Sequence, residues 1–201
     1  RIVGMLTTCH YVGAQHRRAR ELAEEALDLA QQVGDPMLVA AGHWRLGFVA
    51  FALGEYTTAR AHLEPMMAFY EPRHHRALIS LCGSDPGPSA LAYDACCLWC
   101  LGYPDQALAR SQEALARAHQ LDHPFSLADV LCYGGCLFNA MRRDAPRLKD
   151  YAGEMIQLAT AMGFTAWLAS GKCYQGEALA MLGQLEEGLA QMQAGIAGKE
   201  S

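Results

Sequence analysis

Apolar and polar residues follow a helical period along most of the chain, in one amphipathic stretch after another. Three similar phrases interrupt these stretches: FALGEY at 51–56, WCLGYP at 99–104 and AMLGQL at 180–185. In each phrase a glycine follows the last apolar residue, where it supplies the left-handed backbone that ends a helix. The pattern therefore predicts helical hairpins with their turns at these phrases.

A second signal separates the hairpins. VGDP at 33–36 and LDHP at 121–124 place a polar residue before a proline, which is tolerated at the first position of a helix. Pro104 and Pro146 are predicted to start helices in the same way, and Pro88 is a further candidate. The predicted hairpins are 2–33, 36–70, 88–121, 124–162 and 164–197.

The spacing of the turns indicates a repeat with one insertion. Gly102 and Gly183 are 81 residues apart, which is two units of about 40 with an intervening turn near Arg143. Gly54 and Gly102 are 48 residues apart, so the surplus lies between the second and third hairpins. We predict one repeat segment over 1–201 with an insertion at about 71–88.

Composition supports an all-α chain and excludes several functions. Hydrophobic residues make up 52% and β-branched residues are scarce. The net charge of −5 argues against binding to nucleic acid. No apolar run reaches the roughly 20 residues that span a bilayer. Because the chain starts without Met or a leader pattern, we expect a cytoplasmic piece of a longer protein with no membrane partner.

Eight cysteines raise the question of a metal site. Cys96 and Cys100, like Cys132 and Cys136, are four residues apart on one helical face, and four converging thiolates could hold zinc. However, the two pairs occupy different places in their repeats, and compact zinc-knuckle spacing is absent from the sequence. Reduced cysteines in the core are the simpler interpretation, so we predict no metal and no cofactor.

Two longer phrases carry a family resemblance. HWRLGFVAFALGEYTTARAHL at 43–63 and YQGEALAMLGQLEEGLAQM at 174–192 resemble tetratricopeptide (TPR) repeats. The matching positions are a glycine in the first helix, a turn glycine and a small residue early in the second helix: Gly47, Gly54 and Ala59 in one phrase, Gly176, Gly183 and Gly188 in the other. The resemblance implies a right-handed superhelical solenoid of about five antiparallel helix hairpins.

The repeat of about 40 residues is longer than the usual 34. LGYPDQALARSQEALARAHQLDHPFSLA at 101–128 resembles the longer repeats of large bacterial signalling proteins that combine an ATPase module, and often an adenylate or guanylate cyclase domain, with a helical array. The inserted stretch resembles that subgroup too, through His75, Arg76, Gly83, Asp85, Pro86 and Gly87. The resemblance implies a multidomain bacterial signalling or regulatory parent.

Aromatic residues on the first helices are the candidate binding surface. The inner wall of such a superhelix is built mainly from the first helix of each hairpin, and it binds extended peptides or helices. Some of these aromatics must serve helix packing, and those left exposed would anchor a partner. The candidates are Trp44, Phe48, Phe51, Tyr93, Trp99, Tyr133 and Tyr174.

The insertion offers a second set of candidates: His74, His75, Arg76 and Asp85. Its GSDPGP phrase lacks the lysine of a phosphate loop, and the paired carboxylates of the sequence do not stand in a context that suggests acid and base work. The simplest expectation is an ordered insertion that caps or fills the superhelical groove, with Asp85 bonding the backbone of its own turn. A partner or ligand contact is the alternative, and we predict that the chain is not an enzyme.

These patterns favour a non-catalytic scaffold that binds a protein or peptide partner or another domain of its own chain. The alternative is a small-molecule sensor, with the insertion closing a pocket lined by Trp44, Trp99, His75 or Arg76. The last hairpin lacks a polar cap, so it could also self-associate through Leu189, Met192 and Ile196.

Overall fold

The computed structural model describes residues 2–198, and within them helices are joined by short turns without any strand. The chain divides into two compact units, one ending at Arg110 and the other beginning at Ser111. The described part also holds no helix that is both long and apolar enough to cross a membrane.

The first unit contains two complete hairpins and most of a third, with an extra helix between them. Its helices pack in chain order, α1 on α2, α2 on α3 and α3 on α4, and α4 then packs on α6. Their bounds are α1 (Ile2–Val12), α2 (His16–Val33), α3 (Pro36–Ala52), α4 (Tyr56–Phe69), a 3₁₀ turn (Pro72–His74), α5 (His75–Cys82), α6 (Pro86–Cys100) and α7 (Pro104–His119), whose last turns belong to the second unit.

The second unit continues the same arrangement. α10 packs on α11, and α11 packs on α12. Its elements are α8 (Pro124–Val130), a π-helical segment (Leu131–Leu137), α9 (Phe138–Arg142), α10 (Ala145–Met162), α11 (Thr165–Met181) and α12 (Leu185–Ala197). The first three run without a break. The π-helical turn was not predicted, and hydrogen bonds from Ser111 Oγ to Gly134 O and from Asn139 Nδ2 to Gly135 O satisfy its carbonyls.

The predicted turns lie where the sequence places them. Gly54, Gly102 and Gly183 have φ of 77°, 86° and 86°, so each supplies the left-handed residue after a helix. The unmarked turn near Arg143 is confirmed, since Arg143 itself has φ of 58°. Ala14 has φ of 56° and makes the corresponding turn between α1 and α2.

One helix start was predicted wrongly. We placed the beginning of the third hairpin at residue 88, but α6 begins at Pro86, with Asp85 as its N-cap. Asp85 accepts a hydrogen bond from Gly87 N. Pro86 has no N–H, so the first position of the helix leaves no backbone donor without a partner. The stretch 71–88 therefore comprises the 3₁₀ turn, α5 and the first residues of α6, and α5 packs on both α3 and α6.

Candidate functional site

Three of the predicted wall aromatics lie in the core of the first unit. Trp44, Phe48 and Tyr93 are only 5%, 6% and 3% exposed. The Trp44 ring contacts Phe48 and Tyr93 edge to face, at centroid distances of 5.2 and 5.4 Å. Their assignment to an exposed wall is therefore corrected: these side chains hold α3 against α6 and offer almost no surface to a partner.

The exposed edge of this aromatic cluster follows the repeat. Tyr11, Phe51 and Trp99 each lie three residues before the left-handed residue of their turn, near the ends of α1, α3 and α6. All three are half-buried. Tyr11 packs on Phe48 at 4.7 Å and Phe51 packs on Tyr93 at 5.1 Å. We call Tyr11, Phe51 and Trp99 the aromatic row; Tyr11 was missed because α1 carries no recognisable turn phrase.

Tyr56 extends the exposed edge beside the row. Its ring lies 5.9 Å from that of Phe51, and it is also half-buried. A hydrogen bond with the Cys100 thiol is the main cause that raises the pKa of Tyr56 above the ordinary value. The phenol is therefore neutral near pH 7 and can exchange a hydrogen bond with a peptide backbone.

The second unit has a different exposed aromatic group. Tyr133 and Tyr174 are half-buried, and their role in binding a partner stays a prediction. Phe125 is 40% exposed, and its ring contacts Phe164 and Trp167 at 5.5 and 5.7 Å. This trio was missed, although Phe125 follows the proline that starts α8 and Phe164 follows Gly163, the left-handed residue after α10.

The candidates in the insertion divide into an internal cluster and exposed residues. Asp85 is fully buried and accepts hydrogen bonds from Tyr70 Oη at 2.8 Å, His75 Nδ1 at 2.5 Å and Gly87 N at 3.0 Å. The predicted bond from Asp85 to its own turn is confirmed. Its three donors leave the carboxylate little capacity for a ligand, so it serves to fix α5 against α6.

The remaining insertion residues are engaged elsewhere or face solvent. His74 stacks on Phe69, with ring centroids 4.7 Å apart and an interplanar angle of 11°. Arg76 is exposed. With Trp44 in the core and His75 bonded to Asp85, the structure does not favour the alternative hypothesis of a small-molecule pocket lined by these residues.

An internal ion network joins α4, α6 and α7 within the first unit. Asp94 is fully buried, and its carboxylate lies 2.8 Å from Arg60 Nε and 3.4 Å from Arg110 Nε. Arg60 also pairs with Glu64 one turn along α4. Since a buried carboxylate requires a cation or several donors, these contacts fix the positions of α4, α6 and α7 relative to one another.

The candidate cysteines occupy dissimilar surroundings. Cys96, Cys132 and Cys136 are buried, whereas Cys100 is exposed. Burial raises the pKa of Cys136 well above its ordinary value, and it raises the pKa of Cys97 to about 12. Buried thiols of this kind stay protonated, and protonated thiols are poor metal ligands. Across residues 2–198, no three His, Cys, Asp or Glu side chains are grouped to hold a metal ion.

Two histidines face each other between α3 and α4. His43 Nδ1 lies 3.0 Å from His62 Nδ1, so one ring donates the hydrogen and the other accepts it. Burial is the main cause that lowers the pKa of both histidines. Electrostatic interaction with His62 lowers the pKa of His43 further, and interaction with Arg20 does the same for His62. Arg20 is itself paired with Glu55 at 2.5 Å. Both shifts favour the neutral form of the two histidines in the folded chain.

We expect the stability of the first unit to fall as the pH drops below about 6.5, the ordinary histidine pKa. The folded pKa values of His43 and His62 are lowered, so the unfolded chain binds protons first and acid favours unfolding. Urea denaturation at pH 7.5, 6.5 and 5.5 measures this. A variant with both His43→Gln and His62→Gln, in which the other histidines remain, should lose part of the pH dependence. An unchanged dependence would contradict the assignment.

Comparison with known proteins gives the fold. No family model and no curated protein matches the chain. It is similar to BtubC (BKLC) from P. vanneervenii, with a TM-score of 0.65 and 18% identity over 98% of this chain and 78% of that one. Two structures of a putative kinesin light chain with nearly identical TPR-like repeats, from Podosopora anserina, are also similar. Their TM-scores are 0.61 and 0.56, at 15% and 16% identity over 99% of this chain and 93% and 94% of theirs.

At this identity the likeness establishes the fold and nothing finer. It confirms the prediction of an all-α, TPR-like repeat solenoid.

Proposed function

We propose that the chain is a non-catalytic scaffold that binds an extended peptide segment of a protein partner, or of another domain of its own chain, along the aromatic row. One observation supports this proposal most directly: the three residues of the aromatic row occupy the same position in three successive hairpins, and all three are half-buried. Half-buried aromatic side chains are typical anchors of protein interfaces.

The row also suggests the form of the partner. Packed helices lie about 8 to 10 Å apart, so anchors on successive first helices repeat at that interval. A peptide in the extended polyproline II conformation advances about 3.1 Å per residue and completes a turn in three residues, so every third side chain faces the same way about 9 Å along. A peptide with apolar side chains at every third position therefore fits the row, with Tyr56 available beside it for a backbone hydrogen bond.

Selection from a displayed random-peptide library, followed by calorimetric titration of the enriched peptides, tests this proposal. We expect enrichment of apolar residues at every third position. Phe51→Ala should weaken binding by about tenfold or more, because loss of an interface anchor costs roughly 2 kcal/mol.

The matched control for this experiment is Phe125→Ala, which removes an exposed phenylalanine from the second unit and should leave binding unchanged. If no peptide is enriched, or if Phe51→Ala binds as tightly as the unchanged chain, the proposal is wrong. Loss of binding in Phe125→Ala alone would instead assign recognition to the trio of Phe125, Phe164 and Trp167.

A finer part of the proposal concerns the parent protein. The resemblance of residues 101–128 and of the insertion supports a cytoplasmic bacterial signalling protein in which the array relays contacts between domains. The full-length open reading frame tests this part of the proposal, because an ATPase or cyclase domain encoded upstream would support it. Self-association through the last hairpin also stays a prediction; Leu189 and Ile196 are 48% and 57% exposed, whereas Met192 is half-buried.

A further inference from the structure

Arg45 is a buried cation with unusual partners. It lies in α3 and is only 6% exposed. Its guanidinium donates to three backbone carbonyls: from Nε to Gly4 O at 3.2 Å, from Nη1 to Ala41 O at 3.0 Å and from Nη2 to Leu81 O at 3.1 Å. These bonds connect α3 to α1 and to the end of α5.

The carbonyls leave the positive charge of Arg45 largely uncompensated. Buried arginines are almost always paired with a carboxylate, yet the hydrogen bonds of Arg45 within residues 2–198 all go to neutral carbonyls. The end of α5 offers only the partial negative charge of a helix C-terminus. A guanidinium has five N–H groups, and three are engaged here, so Nη1 and Nη2 each keep one for a further acceptor.

A cavity lies beside this guanidinium. Its volume is about 150 Å³, and helices α1, α2, α3 and α5 line it. Apart from Arg45, its side chains are apolar, with Ala26, Leu29, Val33 and Leu38 forming most of the wall. Leu29 and Val33 are 45% and 69% exposed, so they mark the mouth, while Arg45 lies at the buried end.

We propose that this cavity binds a small aliphatic monocarboxylate, with the carboxylate on the free N–H groups of Arg45 and the hydrocarbon chain against α2. The planar fork of arginine suits a carboxylate, and the low exposure strengthens the charge-assisted bond. A cavity of 150 Å³ holds a benzene-sized molecule, which limits the ligand to roughly four to six carbon atoms.

The site is independent of the aromatic row, since the two share no residue. It also gives the insertion a role, because α5 supplies both Leu81 O and part of the cavity wall. Gly4 fits this role as well: a Cβ there would lie 2.5 Å from Arg45 Cζ and would displace the guanidinium.

Thermal unfolding of the whole chain with 3-methylbutanoate and hexanoate tests the proposal, with 3-methylbutanamide and sodium chloride as controls. At about 100 times the Kd, we expect each acid to raise Tm by roughly 5 to 10 °C. Calorimetric titration should show the amide binding at least tenfold more weakly, because it cannot form the charge-assisted bond. No rise with either acid, or an equal rise with the amide, would overturn the proposal.

Two matched variants separate occupancy of the cavity from a general effect of salt. Ala26→Leu fills the cavity while leaving the Arg45 residue unchanged and should abolish the rise in Tm, whereas Ala109→Leu makes the same change at an exposed site and should keep it. Arg45→Lys keeps the charge but loses the fork, so binding should weaken about tenfold. A full rise in Ala26→Leu would show that the acids bind elsewhere.

Discussion

Asp85→Ala is expected to lower the free energy of unfolding by about 3 to 4 kcal/mol. The change removes the common acceptor of Tyr70 Oη, His75 Nδ1 and Gly87 N from a fully buried position. The two side-chain donors left without a partner cost about 1 kcal/mol or more each, and the loss of the N-cap bond from Gly87 N adds about 1 kcal/mol. The contact of α5 with the start of α6 should loosen, because this carboxylate bonds His75 of α5 and caps α6.

Asp35→Ala is the matched control for Asp85→Ala. Asp35 also precedes a proline and caps a helix, with its carboxylate accepting from Met37 N at 2.8 Å, but it is exposed and has only backbone donors. We expect Asp35→Ala to lower the free energy of unfolding by about 1 kcal/mol, the ordinary contribution of an N-cap. Urea denaturation followed by circular dichroism measures both variants. Equal losses would mean that the buried cluster contributes nothing beyond the cap.

The turns of this fold were predictable because they obey a local rule and a period. A glycine after the last apolar residue marks Gly54, Gly102 and Gly183, and the repeat then locates the turns that lack glycine. Arg143 and Ala14 adopt the left-handed conformation despite its cost of roughly 1 kcal/mol for a residue with a side chain. Helix packing on both sides therefore overrides the local preference at these two turns.

The site was less predictable because burial depends on tertiary contacts. Trp44 and Phe51 lie seven residues apart on one helical face, so periodicity treats them alike. However, Trp44 is enclosed by Phe48 and Tyr93, whereas Phe51 stays half-exposed at the helix end. The sequence around Arg45 carries no pattern that marks it as a site. Two of its three hydrogen-bond partners, Gly4 O and Leu81 O, belong to residues that lie 41 and 36 positions away along the chain.

Gly176 and Gly188 match the small-residue positions of TPR repeats, and the structure shows why a larger residue would not fit there. Gly176 and Gly188 face each other where α11 crosses α12. A Cβ on Gly188 would lie 2.6 Å from Gly176 O and 2.9 Å from Ala180 N, and one on Gly176 would lie 2.9 Å from Met192 N and also overlap Gly188 O. All these contacts are with backbone atoms, which cannot rotate away as a side chain can.

We therefore expect Gly176→Ala and Gly188→Ala each to lower the free energy of unfolding of the second unit by about 3 kcal/mol. Gly153→Ala is the control: this glycine lies inside α10 with open space around the added Cβ, so the change should stabilise by about 0.5 to 1 kcal/mol. In the double variant, Gly176→Ala with Gly188→Ala, the free energy of unfolding should fall by less than the sum of the two single losses. Helices that one methyl group has already separated accommodate the second more easily. Urea denaturation of the four variants measures these values. Stabilisation by all of the glycine changes would contradict the close crossing of α11 and α12.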